Sequence, residues 1–223
     1  MKRKILIFGV SDLAELLYSY LKSDSDNEYE ICGFVVEQKY IPESNYFCDL
    51  KIFSLESVAS IFNPKEFSFF VCVGYNKMNS VRERIYNEIR KRGYTILSYI
   101  HPSSTILSDN IGIGTIVFPN VTIDRFTKIG IGNIFYPASL LSHHSTVGDY
   151  NFFAVKSCVC GHVTIENNCF IGANSTIRNG IFIADKTLVG ACSYISKNTV
   201  ANSVYVPSKS ICLSNLFSYE VDL

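Results

Sequence analysis

The chain has 223 residues, 48% of them hydrophobic, and its twenty lysines and arginines balance twenty aspartates and glutamates. That length holds one large domain or two modest ones, and a charge balance kept in both halves gives neither half an electrostatic reason to bind nucleic acid or an anionic membrane. The basic start and short apolar run of residues 1–9 are too brief for a signal peptide or a spanning helix, so a cytoplasmic protein is expected, with its eight cysteines as reduced thiols because no CxxC pair occurs.

Residues 4–9 read as a continuous apolar strand, followed by the turn Gly9-Val10-Ser11-Asp12 and an amphipathic helix over 13–21. A strand, tight turn and helix start is a place where a nucleotide phosphate meets free backbone N–H groups, although only Gly9 of a GxGxxG fingerprint is present and a purely structural turn fits as well. The second strand, 29–36, ends at Glu37, where doubly wound folds often set an acidic residue against a ribose hydroxyl; an exposed strand-end glutamate is the plain alternative. A strand over 51–54, a helical segment over 55–62 and a strong strand over 67–73 follow. Gly74-Tyr75-Asn76 then turns the chain into a helix over 79–92, whose exposed face is expected to carry Arg82, Glu83, Arg84, Glu88 and Arg90, and 95–100 reads as the last strand. Alternating strands and helices imply a parallel, doubly wound sheet over residues 1–100, with ligands at the carboxyl ends of its strands.

From Ile111 to Ile195 every sixth residue is apolar: Ile111, Val117, Ile123, Ile129, Phe135, Leu141 and so on without exception. Four residues after most of them stands a compact side chain, such as Thr115, Val121, Ser145, Ser157 or Thr187. Fixed short periods mean a solenoid whose repeats bury their faces only by stacking. Three hexads make one triangular coil, so every eighteenth residue falls in one column, and residues 101–204 are expected to form a parallel β-helical prism of five coils, with 205–223 as a tail. With only eleven formally charged side chains on 101–204, some outer faces are expected to be covered by other subunits.

His143 and His144 fall at a corner between two hexads, and His162 lies eighteen residues after His144, so His144 and His162 are expected to stack one coil apart. Corner side chains point outward. An outward histidine in a groove between subunits suits general-base work on an amine or hydroxyl, and His143 is the choice, with His144 orienting it and Asp149 as a fallback partner. Cys158-Val159-Cys160 has the look of a chelating pair, but no second pair is near it in sequence and no metal is expected.

The unbroken hexads, the phrases Leu141-Ser-His-His-Ser-Thr-Val-Gly and Cys169-Phe-Ile-Gly-Ala-Asn-Ser-Thr-Ile-Arg, and the tail Val206-Pro-Ser-Lys together resemble the bacterial hexapeptide-repeat nucleotide-sugar N-acetyltransferases and sialic acid O-acetyltransferases, over nearly the whole chain. The resemblance implies an α/β nucleotide-sugar-binding domain followed by a left-handed parallel β-helix. It implies a homotrimer with active sites between neighbouring prisms, acetyl-CoA along the groove, and His143 as the base. The histidine's neighbour in that family is commonly a glutamate and here is His144; a histidine nine residues on in some relatives is Phe152 here. By the same resemblance, backbone N–H groups near Gly161 and Ala191 hold the thioester, while Lys209, Lys197 and Arg178 meet CoA phosphates. The nucleotide lies over Gly9, Ser11, Asp12, Glu37, Gly74 and Asn76, although Asp12 and Leu13 stand where many relatives have a second glycine.

Acetyl transfer to the amino group of a nucleotide-linked amino-deoxysugar is therefore expected, with transfer to a hydroxyl as the nearest rival. A zinc-dependent protein of the γ-carbonic-anhydrase type, using His143, His144 and His162, is a second class, and a prism without catalysis a third.

Overall fold

In the computed structural model of the protein, the described residues are 2–24 and 28–208. The chain opens with β1 (Arg3–Phe8), α1 (Asp12–Ser23), β2 (Tyr29–Val36), β3 (Tyr46–Phe47), β4 (Leu50–Ser54), α2 (Val58–Ile61), β5 (Phe67–Val71), α3 (Ser80–Lys91) and β6 (Thr95–Ile96). Their sheet runs β3-β4-β2-β1-β5-β6 and is parallel except for β3, which forms a hairpin with β4 across Cys48 and Asp49. Both turn residues have positive φ, at 47° and 62°, as a two-residue hairpin matched to strand twist requires. The order reverses beside β1, with β2 on one flank and β5 on the other, so a crevice opens at the carboxyl ends of these strands.

The expected elements 51–54, 55–62 and 67–73 appear as β4, α2 and β5, the last two shortened. Two expectations need correction. Arg82 does not face solvent: it is 1% exposed, because α3 buries the stripe Arg82, Ile85, Tyr86 and Ile89, a helical spacing that includes the arginine. The strand expected over 95–100 breaks at Leu97 and Ser98. Its second half, β7 (Tyr99–Ile100), pairs instead with Ile116–Val117 and caps the next fold.

That fold is a left-handed parallel β-helix of two-residue strands in three ladders. One ladder stacks Val117, Phe135, Phe153, Ile171 and Val189; the second stacks Ile123, Leu141, Val159, Ile177 and Ile195; the third stacks Ile129, Val147, Ile165 and Ile183, with Ile111 bridged to Ile129. All of these except Ile111 are at most 5% exposed. The ladders run on past the repeat: Ile106 joins Ile123, and Tyr205 joins Val189, so the segment expected as tail contributes one more strand.

Every corner from residue 114 to 192 has positive φ at its middle residue, and eleven of these residues are not glycine. Such a left-handed residue costs an ordinary side chain energy, and the stacked hydrogen bonds of neighbouring coils hold it there. The compact residues after each inward side chain are buried, Thr115, Ser145 and Thr187 at 0%.

The two folds share their cores. One cluster runs from Ile5, Leu17 and Phe34 to Ile116, Ile134 and Phe152 on the outside of the first ladder; another takes Leu6, Phe69, Ile85 and Tyr86 to Tyr150 at a prism corner. One outer face expected to need another subunit is therefore covered by the chain's own amino-terminal sheet. The Arg82 guanidinium crosses this seam, donating to the carbonyls of Val73 and Gly74 on one side and of Gly132, Tyr150 and Asn151 on the other, at 2.7–3.1 Å. Burial without a carboxylate partner pushes it down to about 9.

Candidate functional site

The prism has a covered face (the Val117 ladder), a second face (the Ile123 ladder) and a third face (the Ile129 ladder). Because one coil takes eighteen residues, corner residues that differ by eighteen share an edge. His143, Gly161 and Lys197 differ by eighteen and fifty-four, and Arg178 sits one residue short of thirty-six, so all four lie on the edge between the second and third faces. That edge is opposite the covered face.

On this histidine edge His143, His144 and His162 are all exposed. His143 Nδ1 lies 3.1 Å from His144 Nδ1. The His144 and His162 rings stack as the register predicts, with centroids 4.8 Å apart and 14° between planes, and Phe126 lies 4.7 Å from the His144 ring. His143 stands edge-on to both. His144 and His162 occupy left-handed corner positions, φ 56° and 58°, where histidine is among the better-tolerated residues. Beneath the His143 ring is Gly161, where any Cβ would come within 2.6 Å of Cε1 and 2.9 Å of Nε2. The Gly161 N–H has no partner among the hydrogen bonds of the described residues, so the residue packed against the imidazole keeps an unused backbone donor.

The amino-terminal sheet holds the second feature, a cleft of about 1240 Å³ at the carboxyl ends of β1, β2 and β5. Gly9, Ser11, Glu37, Gly74 and Asn76 line it together, as the strand-end reading requires. Gly9 has φ 123° and a Cβ there would meet the Cys72 carbonyl at 2.5 Å, so the position admits only glycine. Asp12 is not among the lining residues: it opens α1 and is exposed. The Glu37 carboxylate is held by Arg84 in a two-pronged ion pair at 2.9 and 3.2 Å, and this partner raises the Arg84 guanidinium further above its ordinary value. Lys39, Lys77 and Arg84 line the cleft against the single carboxylate of Glu37, which suits an anionic ligand. Sequence reading missed these cations, since Arg84 counted only as solvated helix surface. The residues Lys77, Met78 and Asn79 all have positive φ, and the Asn79 side chain donates to Cys169 O at 2.9 Å, fixing the cleft's rim to the prism.

Three sequence-derived candidates lie elsewhere. Ala191 is forty-eight residues from His143, not a multiple of eighteen, and stands exposed on the edge between the covered and second faces. Asp149 is six residues on, which is one corner and not one coil: its Oδ1 accepts the Ile131 N–H at 2.8 Å on the edge between the third and covered faces, so it does not orient His143. Lys209 lies outside the described residues. Phe152 is 2% exposed in the seam, where its ring meets those of Tyr75, Tyr136 and Phe170. Burial raises the Cys158 thiol, and Cys160 lies close enough to raise it further.

A family model described as the hexapeptide repeat of succinyl-transferase matches residues 162–197. Comparison with curated protein sequences gives no match. Among solved structures, PerB from Caulobacter crescentus, in complex with CoA and GDP-perosamine, is similar at TM-score 0.77 and 20% identity, covering 92% of this chain and 96% of that one. The acetyltransferase domain of PglB from Neisseria gonorrhoeae FA1090 is similar at TM-score 0.76 and 17% identity over 94% of this chain and all of that one. WeeI from Acinetobacter baumannii AYE gives 0.75 and 19%, covering 91% and 96%. The chain has the fold of these proteins. Both parts of it, sheet and prism, are matched together, and among the described residues no helix is long and apolar enough to cross a membrane.

Proposed function

We propose that the chain is an acetyl-CoA-dependent N-acetyltransferase acting on the amino group of a nucleotide-linked amino-deoxysugar, a precursor of a surface polysaccharide or glycan, and that it works in the cytoplasm as a homotrimer. The observation that carries this reading is an exposed His143 imidazole packed against Gly161, whose backbone donor is unused, on the edge opposite the covered face of a chain that also holds an anion-suited cleft. The relatives support it: PerB was solved with CoA and GDP-perosamine, a PglB domain with acetyl coenzyme A, and variants of the perosamine N-acetyltransferase with a histidine replaced by asparagine or alanine were solved with the same ligands.

The chemistry follows from the geometry. His143 acts as base through Nε2, which requires its proton on Nδ1, donated to His144 Nδ1. The acceptor amine loses a proton to Nε2 as its nitrogen attacks the thioester carbonyl. The new C–N bond forms, the oxyanion accepts a hydrogen bond from the Gly161 N–H, and the C–S bond breaks to release CoA, whose sulfur takes the proton held on Nε2 and so restores the base. Lys197 and Arg178, further along the edge, and Lys209 meet CoA phosphates, and the thioester contact assigned to Ala191 falls on a different edge. Gly9, Ser11, Glu37, Gly74 and Asn76 hold the nucleotide, with Asp12 beside the cleft. The amino-terminal sheet covers the face opposite the histidine edge, so the acceptor in one chain's cleft is served by a second copy's His143. A trimer supplies that arrangement.

Chromatographic detection of acetylated product and CoA, with acetyl-CoA and a panel of nucleotide-linked amino sugars and their hydroxyl counterparts, tests the proposal. Product with an amino sugar is expected. Turnover confined to hydroxyl acceptors, or absent with all of them, sinks N-acetylation.

A further inference from the structure

Proton transfer needs one imidazole, and the histidine edge presents three. Their ligand nitrogens all lie within 4.8 Å of one another. We propose that His143, His144 and His162 form a binding site for a divalent transition-metal ion of the zinc or nickel class, and that filling it shuts down acyl transfer. The inhibitory half rests on His143 being the base; the site itself does not.

The donor set selects the ion. Imidazole nitrogen suits zinc, nickel and copper, while magnesium and calcium want oxygen, which this cluster does not offer. Separation fits as well. Two imidazole nitrogens on one tetrahedral zinc, each at about 2.0–2.1 Å, stand about 3.3 Å apart, and the Nδ1 atoms of His143 and His144 are already at 3.1 Å. The third ring needs only a side-chain rotation, and all three residues are exposed.

The backbone beneath them is fixed. His162 N–H donates to His143 O at 3.0 Å and His144 N–H to Arg125 O at 3.2 Å, so neighbouring coils hold the three Cα positions before any ion arrives. Three protein nitrogens leave a fourth position of a tetrahedral ion open to water.

The effect on transfer follows from the tautomer. Coordination through Nδ1 uses that lone pair and leaves the ring proton on Nε2, so His143 has no site to accept a proton from the amine. Gly161 and the cleft are untouched, so the ion blocks the chemical step and not acceptor binding.

Chelator-treated full-length protein is titrated with zinc chloride by calorimetry, and with cobalt chloride by visible absorption as a signature of tetrahedral nitrogen ligation. One ion per chain is expected, with H144A and H162A each weakening binding about tenfold or more. Transfer, measured as acetylated product, is expected to fall about tenfold in excess zinc, to return with a chelator and to ignore magnesium. In H144A and H162A the ratio of rates with and without zinc is expected to move to near one, whatever their basal rates. Absence of saturable binding overturns the site, as does binding that survives both substitutions, for example on the Cys158 and Cys160 thiols. Zinc that binds as described without slowing transfer overturns the inhibition. If no acceptor is turned over at all, the proposed function fails, and calorimetry and the cobalt spectrum still judge the site.

Discussion

Two edges of the same prism use one backbone for opposite ends. His144 on the histidine edge and Tyr150 on the edge between the third and covered faces have the same corner φ, 56°. On the second of these, side chains are consumed in holding coils together: Asp149 accepts the Ile131 N–H, Asn167 accepts that of Asp149, and Asp185 that of Asn167, at 2.7–2.8 Å. Just inside, Asn133 accepts the Asn151 N–H and Asn151 accepts that of Cys169. The histidine edge makes no such ladder. Its imidazoles contact one another and Phe126 and stay exposed, so they remain available for chemistry. A repeat thus separates, edge by edge, residues used for stability from residues left for function.

Substitutions across the two edges test that separation. The largest expected effect is H143A, which should lower turnover about 10²–10⁴-fold while moving the thermal midpoint by no more than about 2 °C. A variant that melts early but keeps its rate would erase the distinction. N151A should do the reverse. It leaves the Cys169 N–H and the Glu166 carbonyl without their partner, an expected loss of about 2–4 kcal/mol in denaturant unfolding. G161A, whose Cβ collides with the His143 ring, should cost about tenfold in kcat with little change in KM for acetyl-CoA. Equal effects on both constants would mean the ring's position is not what matters. The smallest is D149A, which removes one partly buried acceptor and should cost about 1 kcal/mol of stability with turnover intact; a hundredfold loss of turnover would restore Asp149 as a partner of His143.

Much of the prism was legible because inward residues have no alternative: a polar side chain at Leu141 or Val159 would sit unpaired in a dry column. Its ends were not. Ile100 pairs seventeen residues away with Val117, and Tyr205 sixteen away from Val189, so these closing strands fall off the period. The asparagine ladder hid among exceptions, since Asn133, Asn151 and Cys169 break the rule of compact side chains at that position, and all three share one corner column. Register arithmetic in eighteens also sorts the candidate site, keeping Gly161 and Lys197 with His143 and removing Ala191 and Asp149. Arg82 was misread because charge outweighed spacing, while its buried guanidinium finds five carbonyls that only the tertiary fold assembles. The cations Lys39, Lys77 and Arg84 come from three separate segments, and no local pattern joins them.

The eighteen-residue coil sets a grammar for insertion and deletion. Adding or removing one whole coil shifts everything downstream along the axis by a single rung of roughly 4.8 Å and leaves each column aligned. Adding six residues instead turns the downstream prism by a third of a revolution. An insertion of six just after His144 would carry His162 and Lys197 to another edge while every inward residue stayed apolar, and it would also take Tyr150, Asn151 and Phe152 out of the seam with the amino-terminal sheet, so the groove and the shared core are lost together.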